Sequence, residues 1–169
     1  MAEKIIARLR VKETHFAPPI SAEADVAPAV WVEQPLTYRD DELIISEEEP
    51  EETALYSHEN DPAEDIEIIG QGLVARGTFI KATRAQMAEL MGGTTSGVDD
   101  AMKYQHSTKK KVLDTAIKFV CYDGTEVVIP RAKGSVNMNI AIGKGGLGRF
   151  PFKFTLQKAS TDWDCDIML

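Results

Sequence analysis

Four stretches in the C-terminal half alternate apolar and polar residues with period two, the signature of strands with one buried face. "VLDTAIKFVCY" puts Leu113, Thr115, Ile117, Phe119 and Cys121 on one side, and "TEVVIP" follows it after Asp123-Gly124, a favoured two-residue hairpin turn. "SVNMNIAI" alternates Val136, Met138, Ile140 and Ile142 against Asn137, Asn139 and Ala141. "RFPFKFTLQ" sets Phe150, Phe152, Phe154 and Leu156 against Pro151, Lys153 and Thr155. Earlier, "KIIARLRVKE", "DELIIS", "DIEIIG" and "GLVARGTFI" read as further strands. In "DIEIIG", Ile66 and Ile68 face one way and Asp65, Glu67 and Ile69 the other, as in a half-buried strand.

A period of 3.6 appears clearly in one place, "TRAQMAELMGG". Thr83 as N-cap with Gln86 three residues on predicts a capping box. Met87, Leu90 and Met91 make an apolar stripe, and Gly92 supplies the stop. The pattern therefore predicts a mainly β fold: an antiparallel sandwich or barrel with one short packed helix.

Two regions break the pattern. "THFAPPISAEADVAPAV" is rich in Pro and Ala and suits an arm, so residues 1–40 read as a strand plus arm. "EEEPEETALYSHENDPAED" has two prolines and few apolar residues, which predicts a long exposed loop over 47–64 inside a domain spanning 41–160. Residues 161–169 form an acidic tail.

Composition changes this picture little, but charge changes it more. At 169 residues the chain suffices for one domain with its own core. No apolar run approaches the ~20 residues of a membrane span, and the first residues lack the apolar core of a secretory signal, so work in the compartment of synthesis is expected. Cys121 and Cys165 form no C-x-x-C pair. The net charge of −8 is unevenly spread: thirteen acidic residues and no Lys or Arg lie from Asp40 to Glu67, whereas eleven basic residues face three acidic ones from Lys103 to Lys158. Such a dipolar chain is able to attract copies of itself head to tail.

The motifs for chemistry are thin. Gly143, Gly145 and Gly148 spell G-x-G-x-x-G, but the residues after Gly148 have period two and include Pro151. A strand there offers no helix N-terminus to a phosphate, so the glycines are expected in a hairpin loop and no dinucleotide is expected. Asp162, Asp164 and Asp166 copy the start of a calcium loop without its glycine or final glutamate. Ser107 and Lys110 have S-x-x-K spacing without partner motifs, which reads as a basic loop. His15, His58 and His106 are isolated, and no G-x-S-x-G elbow is present. No catalytic residue, cofactor or metal is expected.

From about residue 41 to residue 158 the layout resembles the tail tube (major tail) proteins of long-tailed bacteriophages. The resemblance rests on the acidic "SEEEPEETALYSHENDP", on "GLVARGTFIKATRAQMAELMGG" with its strand, helix and Gly-Gly stop, and on the closing meander through "IPRAK" at Ile129 to Lys133. It implies a β-sandwich subunit of hexameric rings stacked into a hollow tube for genome delivery, assembled in the host cytoplasm and residing in the virion tail. Its partners would be copies of itself, tail terminator, tape-measure and baseplate or distal tail proteins, and DNA in transit, with no membrane.

On that reading the inter-ring loop would use Glu47, Glu48, Glu49, Glu51, Glu52, Glu59 and Asp61. Lys109, Lys110, Lys111, Arg131 and Lys133 would form the basic counterpart surface. Asp65 and Glu67 are the choice for the lumen, where acidic groups repel phosphates. The alternatives are the tube of a contractile tail or secretion machine, and a monomeric β-sandwich module whose acidic loop docks a basic partner.

Overall fold

The computed structural model describes residues 8–59, 62–63, 65–70 and 72–169. It is mainly β with one short helix. In chain order the strands are β1 (Val11–Ala17), β2 (Val32–Glu33), β3 (Leu36–Thr37), β4 (Ile44–Glu47), β5 (Glu51–Leu55), β6 (Asp65–Ile69) and β7 (Leu73–Ile80). After the helix α1 (Arg84–Met91) come β8 (Thr94–Ser96), β9 (Lys103–Gln105), β10 (Leu113–Cys121), β11 (Glu126–Val136), β12 (Asn139–Ile140) and β13 (Gly148–Leu156).

The main sheet runs β2-β1-β10-β11-β13-β7-β3, with β4 also on β7 and β12 on β13, all antiparallel. Its two ends belong to one short segment, residues 32–37. Gln34 N–H donates to the Thr14 carbonyl at 2.8 Å, and Tyr38 N–H donates to the Thr78 carbonyl at 2.8 Å. Between them Pro35 carries the chain from one edge to the other, yet the ladder is not closed into a barrel.

The core explains the curl of the sheet. Phe16 of β1 meets Phe79 of β7 at 6.1 Å and Phe154 of β13 at 5.6 Å between ring centroids, although several strands separate them in the sheet. Phe150, Phe152, Phe154 and Leu156 all point into this core, as the alternation predicts, and Lys153 and Thr155 point out. At Gly134 an added Cβ would lie 2.7 Å from the Cα of Phe154, so β11 and β13 approach too closely there for any other residue. The capping box of α1 forms with both hydrogen bonds, 2.9 and 3.2 Å, and Leu90 and Met91 are buried.

Several expectations need correction. The first strand begins at Val11 and continues through "THFA", while residues 4–7 of "KIIARLRVKE" lie outside the described residues. The Pro/Ala-rich segment is not free: Ala17 and Ile20 pack on Ala116, with Val26, Trp31 and Trp163 around them, forming a small second core against β1 and β10. The turn at Asp123-Gly124 has three residues instead of two. Cys121 N–H donates to the Thr125 carbonyl at 2.9 Å, Gly124 has φ +84°, and Asp123 accepts from Thr125. Pro130 does not end its strand, because β11 passes through it at a bulge where Pro130 and Arg131 stand opposite Ala116 of β10 and a missing N–H is tolerated.

"SVNMNIAI" is not a strand with one buried face. Val136 is buried, but Met138, Ile140 and Ile142 are exposed, because the sheet has no second layer that far out. β12 keeps the register of β11 against β13, so residues 137–151 make the end of one long hairpin. Gly143 and Gly145 sit at its tip, Gly145 at φ +79° as a hairpin loop should, whereas Gly148 already belongs to β13 and pairs with Ile140. The tail also differs: Met168 exchanges two 2.8 Å backbone hydrogen bonds with Val128, laying the last residues along β11.

Candidate functional site

The acidic segment forms a ribbon instead of a loop. β4 pairs β7 from Ile44↔Arg76 to Glu47↔Leu73, and β5 pairs β6 from Glu51↔Ile69 to Leu55↔Asp65. Both sets share one register, and Glu48 N–H donates to the Gly72 carbonyl at 3.1 Å between them. A single antiparallel ribbon thus leaves the main sheet, interrupted at Pro50 on one strand and near Gly70 and Gly72 on the other. Gly72 takes φ +79°, a conformation that L side chains resist.

Beyond that interruption no described residue of β5 or β6 joins a buried cluster. Every residue of β6 is exposed, including Ile66 at 54% and Ile68 at 62%, which corrects the expectation of a half-buried strand. Directly paired residues share a face, so Ile66 and Ile68 stand beside Ala54 and Glu52. Asp65 and Glu67 stand on the opposite face with Leu55, Thr53 and Glu51. The ribbon therefore has one largely apolar face and one mixed face carrying three carboxylates.

The other predicted loop residues divide. Glu47, Glu49 and Glu59 are exposed, and Asp61 lies outside the described residues. Glu48 is held at the ribbon base, 2.5 Å from Arg76 and 3.5 Å from Lys153, which are cross-strand neighbours on the outer face of β7 and β13. Arg76 and Lys153 are the site residues that sequence reasoning missed. The alternation already put Lys153 outside, but only the register sets Arg76 beside it.

The predicted basic residues fall into separate networks. Arg131 donates two hydrogen bonds to Asp114, at 3.1 and 2.9 Å, and Lys133 lies 3.9 Å from the same carboxylate. Lys110 donates to the Val136 carbonyl at 2.9 Å and to Asn137, so its ammonium is not directed at Ser107. Lys111 donates to the Glu89 carbonyl, near the C-terminal end of α1, where a cation is favoured. Lys109 is exposed, and its backbone N–H donates to Ser107 Oγ at 3.2 Å.

The hydrogen bonds from Arg131 hold the Asp114 carboxyl below its ordinary pKa, against a smaller opposing effect of burial. A carboxyl whose pKa is lower in the folded state stabilises the fold above its unfolded value, and that contribution is lost as pH falls through the folded value. Asp114→Asn is expected to flatten the acid limb of a melting-temperature profile and to match the parent at the acid extreme. For a surface pair the loss near neutrality is about 0.2–1 kcal/mol. Equal acid limbs in the two proteins would refute this role for Asp114.

Among the described residues no three His, Cys, Asp or Glu side chains gather as metal ligands. Asp164 is instead 3.7 Å from Lys158. Among the same residues no helix is long and apolar enough to cross a membrane. Compared with known families and curated proteins, the chain matches no family model and no curated protein.

Proposed function

We propose that this chain is a self-assembling structural protein: a tail tube subunit that forms hexameric rings and, by stacking them, a hollow conduit for genome delivery. The uncovered ribbon carries this reading. A two-stranded hairpin alone in water is marginal, and Ile66 and Ile68 stand exposed among the described residues of the single chain. Such an element is explained by a surface on another molecule. The unclosed curled sheet, a sandwich-like body with short edge strands, adds edges that neighbours in a ring would pair.

In the assembly the ribbon crosses to the next ring, Asp65 and Glu67 serve the lumen or the contact, and DNA passes without sticking. Tail terminator, tape-measure and distal tail proteins bound the tube, which is built in the host cytoplasm. No catalysis is required of the chain. A monomeric docking module would use the same ribbon on a basic partner, and the oligomeric state separates the two.

Electron microscopy of the purified protein at low salt tests the proposal, with rings or tubes expected. Exposed charges separated by more than about 10 Å are screened at 0.1 M salt, so raising ionic strength should shorten the tubes and raise the concentration needed to form them. Featureless monomers at every salt concentration would overturn the reading; tubes indifferent to salt would overturn its electrostatic part.

A further inference from the structure

Several basic groups on the outer faces have a carboxylate of the same chain. Arg76 and Lys153 share Glu48, Arg131 and Lys133 share Asp114, and Arg149 meets Asp41. Arg10 and Arg39 differ. Both are exposed, and neither has a carboxylate partner among the described residues. The Arg10 guanidinium instead lies 4.9 Å above the ring of Tyr122.

These two arginines, with Tyr38 and Tyr122, border a cleft of about 510 Å³. Leu9, Val11 and Leu43 line this cleft and also a second cavity of about 350 Å³, whose deeper wall is apolar and includes Phe119. The two spaces make one groove, greasy within and cationic and aromatic at the mouth. Arg and Tyr are the side chains that most often anchor a protein contact. Asp41 also lines the cleft and lies 3.8 Å from Arg149, and Asp40 accepts a hydrogen bond from the Tyr38 hydroxyl at 3.0 Å, so each acid at the mouth has a partner of its own.

We infer that this groove is the receptor for the ribbon of a second copy. The inference rests on the self-assembly reading and names the surface that reading leaves open. Charge argues for the occupant: the mixed face of the ribbon carries Glu51, Asp65 and Glu67 and no Lys or Arg, and the groove mouth carries the guanidiniums of Arg10 and Arg39, with Asp41 there already facing Arg149. Chemistry agrees on the other face, where Ala54, Ile66 and Ile68 offer apolar surface to the apolar interior.

The chain's own ribbon leaves the groove empty. Ile45 and Leu73 at its base form part of the wall, yet the whole of β6 beyond them is exposed. Ribbon and groove are different patches of one chain, so the contact is heterologous and repeats from copy to copy without closing between two of them.

A charge-reversal cycle tests this. The Arg10→Glu/Arg39→Glu variant should keep the parent's melting temperature, because both side chains are exposed, and should raise the concentration required for assembly by about 10–100-fold. Glu51→Lys/Glu67→Lys should do the same, and the protein carrying all four changes should return toward the parent. Assembly of the Arg10→Glu/Arg39→Glu protein at the parental concentration would exclude the groove as receptor, as would failure of the four-fold variant to recover while folded. Both outcomes leave self-assembly intact. A parent that stays monomeric at low salt removes self-assembly and this inference together.

Discussion

Excising residues 51–69 and joining the stubs with a short Gly-Ser turn is expected to leave a folded monomer that makes no tubes. The ladder between β4 and β7 ends at Glu47↔Leu73, and the hydrogen bond from Glu48 to Gly72 closes the ribbon base, so the cut falls where the sheet has already finished its pairing. Residues of β5 and β6 contribute nothing to either buried cluster. Glu48 stays with Arg76 and Lys153 and keeps the base in place. Substitutions away from the core change stability by about 0.5 kcal/mol or less, and removing an unpacked hairpin belongs with them. Assembly, in contrast, loses the uncovered surface that motivates it. Thermal melting and sedimentation velocity on the same sample separate the two effects. Tubes formed by the shortened chain would show that rings stack through another surface. Unfolding would show that the ribbon supports the fold in a way its exposure does not reveal.

The second large effect lies in the core. Phe154→Ala should destabilise the fold by about 3–5 kcal/mol. Phe154 is 0% exposed on a strand flanked by β11 and β7, and its ring packs edge-on against Phe16 at 5.6 Å and beside Phe152 at 5.8 Å. Removing it takes away one of the two ring contacts, with Phe16–Phe79 the other, that tie β1 to the far side of the curled sheet. Close approach of β11 at Gly134 also limits how far the backbone relaxes into the cavity. At roughly 2–4 °C per kcal/mol for a chain of this size, the melting temperature should fall by about 6–20 °C. Ile142→Ala is the matched control: its side chain, 97% exposed at the hairpin tip, should change stability by less than about 0.5 kcal/mol. Equal losses from the two substitutions would mean that the core is not where the buried phenylalanines put it.

Much of the local structure was readable from the residues alone, each time because the cause is local. Thr83 and Gln86 satisfy each other's backbone across one turn, so α1 declares its own start. β10 and β13 declare themselves by alternation, since each has one face on the core and one away from it. Gly143 and Gly145 were legible as a hairpin tip for the same reason, since period two resumes soon after them, although Gly148 proved to open the strand. The acidity of residues 47–64 and the shortage of apolar groups there announced an exposed segment, and most of its described residues are exposed.

Only the tertiary structure decided the rest. Alternation says that a strand has two faces, but not whether anything covers either one. Ile66 and Ile68 therefore look like Ile117 and Phe119 in sequence and end at opposite extremes of exposure. Pairing is a choice among distant segments: it turned the acidic loop into a ribbon, brought Arg76 beside Lys153, and extended β11 through Pro130. Charge counts named basic residues correctly by type, yet Asp114, Asn137 and the Glu89 carbonyl had claimed four of the five. Two arginines without a carboxylate partner among the described residues, Arg10 and Arg39, come together only because the two ends of the sheet curl toward each other. Local periodicity records the demand each residue makes on its surroundings; long-range register determines which neighbour meets it.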